Sequence, residues 1–140
     1  MAGCCSPAPK SLVIETTVLR ADGQTCERCG DTVEAVRSAV AQLEAVLTPL
    51  GVRVTLVEHA ASADNLDDSN SVMINGRSLE EWIGAERVST DCPSCGDLVG
   101  EAACCAAVSV GEIVQESFSV EQVRDGAFAA LGFGGAGGCC

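Results

Sequence analysis

Ten cysteines in a chain of 140 residues fall into five close pairs: Cys4/Cys5, Cys26/Cys29, Cys92/Cys95, Cys104/Cys105 and Cys139/Cys140. Two of the pairs are CxxC motifs, each followed by Gly-Asp, and three are vicinal. Thiolates attack disulfides and ligate soft metals, so each pair is a candidate station for one chemistry or the other. Adjacent cysteines close a strained disulfide ring and suit ordinary bridging poorly, yet they offer two sulfurs to a large, soft ion. Two sulfurs suffice for linear Hg(II). Pyramidal As(III) or Sb(III) needs a third, which Cys104-Cys105 or a CxxC can supply. The repeated CxxCG is also the knuckle of a four-thiolate zinc site. Such knuckles usually lie about 15–20 residues apart, whereas 92 − 29 − 1 = 62 residues separate these two. A structural zinc therefore requires the fold to bring the pairs together.

Composition narrows the setting. Twenty acidic against eight basic side chains give a net charge of −12, which repels nucleic acid and anionic membranes and favours cationic ligands. Aromatics are confined to Trp82 and three Phe, so the core must be aliphatic and base stacking is excluded. No run approaches a membrane span, and Met1–Pro7 lacks the apolar centre of a signal peptide. The expectation is a cytoplasmic protein, where paired cysteines serve metal or redox work rather than a disulfide framework. No catalytic triad or Cys-His pair accompanies them, because the lone histidine, His59, reads as a strand-end surface residue. Asp64, Asp67 and Asp68 lack EF-hand spacing. Glu80-Glu81 read as a solvated helix face. A C-terminal Cys-Cys can signal prenylation in small GTPases, but the chain has no phosphate-binding loop.

The elements that must position the thiols follow from periodicity. Residues 1–10, with Pro7 and Pro9, read as an arm carrying Cys4-Cys5. Ser11–Arg20 is β-branched, with Leu12, Ile14, Thr16 and Val18 on one face of a strand. The first CxxC follows a break at Ala21-Asp22-Gly23, and Val33, Val36, Val40, Leu43 and Leu47 then mark a helix that stops at Pro49 and Gly51. A second strand begins at Val52, residues 62–71 form an acidic loop or short helix, and Val72–Ile74 is a short strand. Asn75-Gly76 is a hairpin turn, and Ser78–Glu81 is a capping box opening a short helix through Trp82. Ala106–Val110 and Ile113–Ser117 form a hairpin, and a last helix starts at Ser119 with Gln122 closing its capping box. Residues 134–140 form a Gly-rich tail that ends in Cys139-Cys140.

The element order resembles the thioredoxin-like fold: an α/β domain over residues 11–133, with a small mixed sheet flanked by helices. More narrowly, Ile14-Glu15, Cys26-Glu27-Arg28-Cys29, Val72–Gly76 and Cys92–Asp97 are similar to a small prokaryotic thioredoxin-like family known as a domain of unknown function. The terminal Cys-Cys pairs resemble the tails of arsenite metallochaperones and mercuric reductases. One departure stands out. Thioredoxins carry a cis-proline before the third strand, and here that position is Asn70, whose preceding peptide is expected to be trans.

Three readings follow. The first is a binding and relay protein that requires no resident cofactor. It passes mercury, arsenic or antimony among its ten cysteines toward a metal-resistance reductase, lyase or efflux pump. The second is a thiol–disulfide oxidoreductase, in which Cys26 is the exposed nucleophile at the helix N-terminus, Cys29 resolves, and Arg28 adds positive charge. The third is a zinc-stabilised domain.

Overall fold

The computed structural model describes residues 11–21, 23–62, 64, 68–92, 96, 98, 100 and 104–132, with residues 104 and 105 described through their backbone alone. The two terminal cysteine pairs and Cys95 lie outside these residues.

Strand β1 (Ser11–Leu19) alternates as its sequence demands, with Leu12, Ile14, Thr16 and Val18 buried. The one hydroxyl on that face is satisfied, since Thr16 Oγ1 donates to the Ser71 carbonyl at 2.9 Å. Helix α1 (Glu27–Leu47) starts earlier than the apolar periodicity does, directly after Cys26 at its N-cap. It buries Cys29, Val33, Val36, Val40, Leu43 and Leu47 along one stripe. A 3-10 turn through Pro49 and a left-handed Gly51 end it, as expected where proline and glycine follow a helix.

Strand β2 (Arg53–Ala61) returns parallel to β1. Strands β3 (Ser71–Ile74) and β4 (Arg77–Ser78) add on the other side of β1, each antiparallel to its neighbour, so the four-stranded sheet runs β2-β1-β3-β4. The β3–β4 turn places Asn75 at φ 49° and Gly76 at φ 83°. Two positive φ values match the twist of a tight hairpin. Asn75 also pins the hairpin to β1, because Val13 N donates to its Oδ1 at 2.8 Å and its own N donates to Val13 O at 2.9 Å.

Ser78 caps helix α2 (Leu79–Ile83) by accepting from Glu81 N. The Glu81 carboxylate takes Arg77 instead of closing a box. After α2 the chain leaves this sheet. Strands β5 (Glu86–Asp91), β6 (Cys104–Val110) and β7 (Ile113–Gln115) form a separate antiparallel sheet. The single small mixed sheet expected from sequence is thus corrected to two sheets. Strand β4 is only two residues long, and a helix follows it immediately, so β5 pairs with β6 and not with the β4 edge. Helix α3 (Val120–Ala130) begins with the expected Ser119/Gln122 capping box.

Helices α1 and α3 pack over the same side of the four-stranded sheet. The main core joins Leu12, Ile14, Val72 and Ile74 to Val36, Leu43, Leu47, Val123, Ala127 and Leu131. Gly126 sets how closely α3 can approach, because a Cβ there would fall on Leu79 Cδ1 and Ile74 Cδ1. Glu80 corrects its expected solvation. It is 5 % exposed and faces Arg87 of β5 at 3.6 Å.

Gly126→Val is expected to lower the urea midpoint without changing the m-value. Overpacking of a filled core costs about 1–3 kcal/mol, and an undiminished midpoint would show that α3 has slack.

Candidate functional site

The C-terminal end of β1 delivers the chain to the first CxxC. Beyond Leu19 the path reverses through the Ala21–Gln24 bridge, and Cys26 stands at the N-cap of α1 with extended backbone and no side-chain cap. A helix start leaves backbone N–H groups unpaired and carries the positive end of the dipole, both of which favour a thiolate.

A second, smaller cluster lies at this end of the sheet, apart from the main core: Val18, Leu19, Cys26, Cys29, Val33 and Cys92, with Leu98 packed against it. The fold therefore gathers the first motif and the first cysteine of the second motif into one apolar pocket. Cys26 is 2 % exposed and Cys92 2 %, while Cys29 is fully buried, so the expectation of an exposed Cys26 is corrected. Val18 and Leu19 of β1 and Val33 of α1 belong to the same buried cluster. Cys26 also lines a surface cleft of about 370 Å³ with Arg20, Thr25, Glu27, Asp31 and Arg37. The Thr25 hydroxyl is the one buried side-chain oxygen or nitrogen without a hydrogen-bond partner among the described residues.

The hydrogen bond with Cys26, and after it burial, push the Cys29 thiol well above its ordinary 9.0, although backbone groups of Leu19 and Asn70 act the other way. The Leu19 N–H stands 3.4 Å from Cys29 Sγ. The contact with Cys26 and burial thus favour the protonated form of Cys29.

Arg28 does not act as the free positive charge expected between the cysteines. It is 4 % exposed. Its guanidinium donates to Thr90 Oγ1 at 2.6 Å and to the Asp91 carbonyl at 2.5 Å, and it reaches Glu116 at 3.4 Å. It thus straps the first turn of α1 to the residues immediately before Cys92. Asn70 makes a second strap, which sequence reading missed beyond noting that it is not proline. It sits at φ 53° with no cis bond among the described residues. Its Oδ1 accepts from Thr32 of α1 at 2.5 Å, and its Nδ2 donates to the Ala106 and Glu116 carbonyls at 2.8 and 2.9 Å. Asparagine tolerates this backbone better than most residues, which is the signal that could have found it.

Cys104 and Cys105 lie in β6, in register with Asp91 and Thr90. The backbone therefore brings this vicinal pair to the strand end that leads into Cys92. His59, as expected, is an exposed strand residue, paired with Glu15 at 3.0 Å. It lines a larger cleft of about 490 Å³ with Thr17, Asp68, Glu80 and Arg87, where no cysteine contributes among the described residues. Among the described residues, no three His, Cys, Asp or Glu side chains are grouped closely enough to hold a metal ion. No described helix is long and apolar enough to cross a membrane.

Two outcomes follow from this geometry. Asn70→Ala loses three side-chain hydrogen bonds and puts alanine, which tolerates positive φ less well than asparagine, at φ 53°, so it should cost about 2–4 kcal/mol in chemical denaturation. Asn70→Gly, which relieves the backbone only, should recover a minor part. Cys29 keeps its proton in the folded state, whereas the unfolded chain releases it near pH 9, so its contribution to stability is complete below that pH and lost as pH rises. Cys29→Ala should flatten the alkaline fall in stability, and an unchanged slope would remove Cys29 as its source.

The comparisons place these residues in a family. A protein of Archaeoglobus fulgidus, described as uncharacterized, is 37 % identical over 117 residues, covering 80 % of this chain and 82 % of its own. No solved structure matches the chain. The family model for a domain of unknown function, DUF2703, matches residues 12–127, a stretch that spans both the first CxxC and Cys92. The chain belongs to this DUF2703 family.

Proposed function

We propose that this protein captures a thiophilic ion, mercury(II) foremost, on Cys26 and Cys29 and relays it in the cytoplasm to a metal-resistance reductase, lyase or efflux pump. The observation that carries the reading is the buried, hydrogen-bonded Cys26/Cys29 pair at the start of α1, set in an apolar pocket and bordered by an open cleft. Sulfur in an apolar surrounding prefers soft ions to hard ones, and two sulfurs satisfy linear Hg(II). The charge of −12 draws cationic species and does nothing for neutral arsenous acid. In this reading Cys4-Cys5 and Cys139-Cys140 collect the ion and exchange it with the pocket.

A thioredoxin-like ancestry for the four-stranded sheet is supported by its order, β2-β1-β3-β4 with β1 and β2 parallel, and by the CxxC at the start of the intervening helix. The same geometry favours a second reading, thiol–disulfide exchange. The proton-holding Cys29 beside Cys26 is the division of labour that an attacking and a resolving thiol need.

Titration of the reduced protein with Hg(II) under argon tests the first reading. Cys26→Ser/Cys29→Ser should lose one equivalent of tight binding, and replacing Cys4, Cys5, Cys139 and Cys140 by Ser should slow ion transfer to an acceptor while leaving disulfide reduction unchanged. Equal transfer with and without the terminal pairs overturns the relay. Rapid reduction of a protein disulfide that depends on Cys26, without that lost equivalent, would establish the second reading.

A further inference from the structure

Cys92 lies in the same pocket as Cys26 and Cys29 although 62 residues separate it from Cys29. Hydrophobic collapse alone does not explain this position. Arg28, between the two first-motif cysteines, donates to the carbonyl of Asp91, the residue before Cys92, and to the hydroxyl of Thr90. A buried guanidinium bound at two points holds its partners far more firmly than an exposed ion pair does. The Asn70 side chain ties the same helix, through Thr32, to the second sheet at Ala106 and Glu116. Arg28 thus fastens the segment leading into Cys92 to the first motif, and Asn70 fastens the neighbouring strand β6 to the same helix.

Building on the ion-capture reading, we propose that Cys92 is the third sulfur of this site, the acceptor to which the Cys26/Cys29 pair passes its ion, and that Arg28 is the positioning residue that keeps the two motifs in reach. The three side chains are not grouped to hold an ion jointly as they stand, so Cys92 turns toward the pair for the transfer, its bond to the ion forming as that of Cys29 breaks. The ion is first bound as Cys26-S–Hg–S-Cys29. The Cys92 thiol enters, a Cys92-S–Hg bond forms, the Cys29-S–Hg bond breaks, and the Cys92 proton passes to the Cys29 sulfur. The product is Cys26-S–Hg–S-Cys92 with Cys29 again a thiol. Charge and protons balance and no oxidant is needed.

The test uses the full-length chain in which Cys4, Cys5, Cys95, Cys104, Cys105, Cys139 and Cys140 are replaced by Ser, leaving three thiols. Hg(II) affinity is measured by competition against a small dithiol. Cys29→Ser in this background should keep affinity within about tenfold, because Cys26 and Cys92 still provide two sulfurs, while adding Cys92→Ser should lower it by at least about a hundredfold. A large loss on Cys29→Ser alone overturns the inference and leaves the capture reading standing. No binding by the three-thiol chain overturns both. The wild-type chain gives an independent check that tolerates a folding defect in the substituted one. After one equivalent of Hg(II) and thiol-free digestion, a mercury-bridged pair joining the Cys26 peptide to the Cys92 peptide is expected, and bridges confined to Cys26 and Cys29 overturn the inference. Arg28→Gln should deplete the Cys26–Cys92 bridge severalfold without lowering Hg(II) stoichiometry, which a merely structural role would not do selectively.

Discussion

A buried guanidinium must find acceptors, and the site depends on where Arg28 finds them. Taking a cation out of water is costly unless its donors are used, and the two shortest of its contacts are to Thr90 and Asp91. These residues end β5, so satisfying Arg28 obliges the second sheet to dock against the start of α1. The same docking delivers Cys92 to the pocket that already holds Cys26 and Cys29. One charge placed between two cysteines therefore does structural work for a third.

Asn70 meets a parallel constraint from the other side. It immediately precedes β3, places its side chain among Thr32, Ala106 and Glu116, and contributes a backbone group to Cys29. The four-stranded sheet, the CxxC helix and the second sheet thus converge on one residue. Polar straps of this kind accept little variation in geometry, unlike the aliphatic core of Leu12, Ile14, Val36 and Leu43, where any well-packed arrangement of similar volume would serve. The pocket's precision comes from the polar residues and its apolar character from Val18, Leu19 and Val33.

The hydrogen bond with Cys26, and after it this apolar character, raise the Cys29 thiol. With little water to solvate charge, a single negative charge is tolerable on one sulfur of the pair and not on both. Cys29, fully enclosed, retains its proton, and Cys26 stands between it and the cleft-lining residues of the first turn of α1.

Much of this was legible in the sequence because it is local. The burial face of β1 follows from alternation, the stripe of α1 from steps of three and four, the Asn75-Gly76 turn from backbone freedom, and the Ser119/Gln122 cap from hydrogen-bond reach. The position of Cys26 and Cys29 at a helix start followed from the same signals. What the tertiary structure alone decided is non-local: the division into two sheets, the burial of Cys26, Arg28 and Glu80, the straps at Asn70, and the meeting of Cys92 with the first motif. Each is a contact between segments far apart in the chain, and nothing in the spacing of 62 residues states whether a chain will close that loop. The closure was determined by which distant acceptors a buried cation and a buried amide could reach.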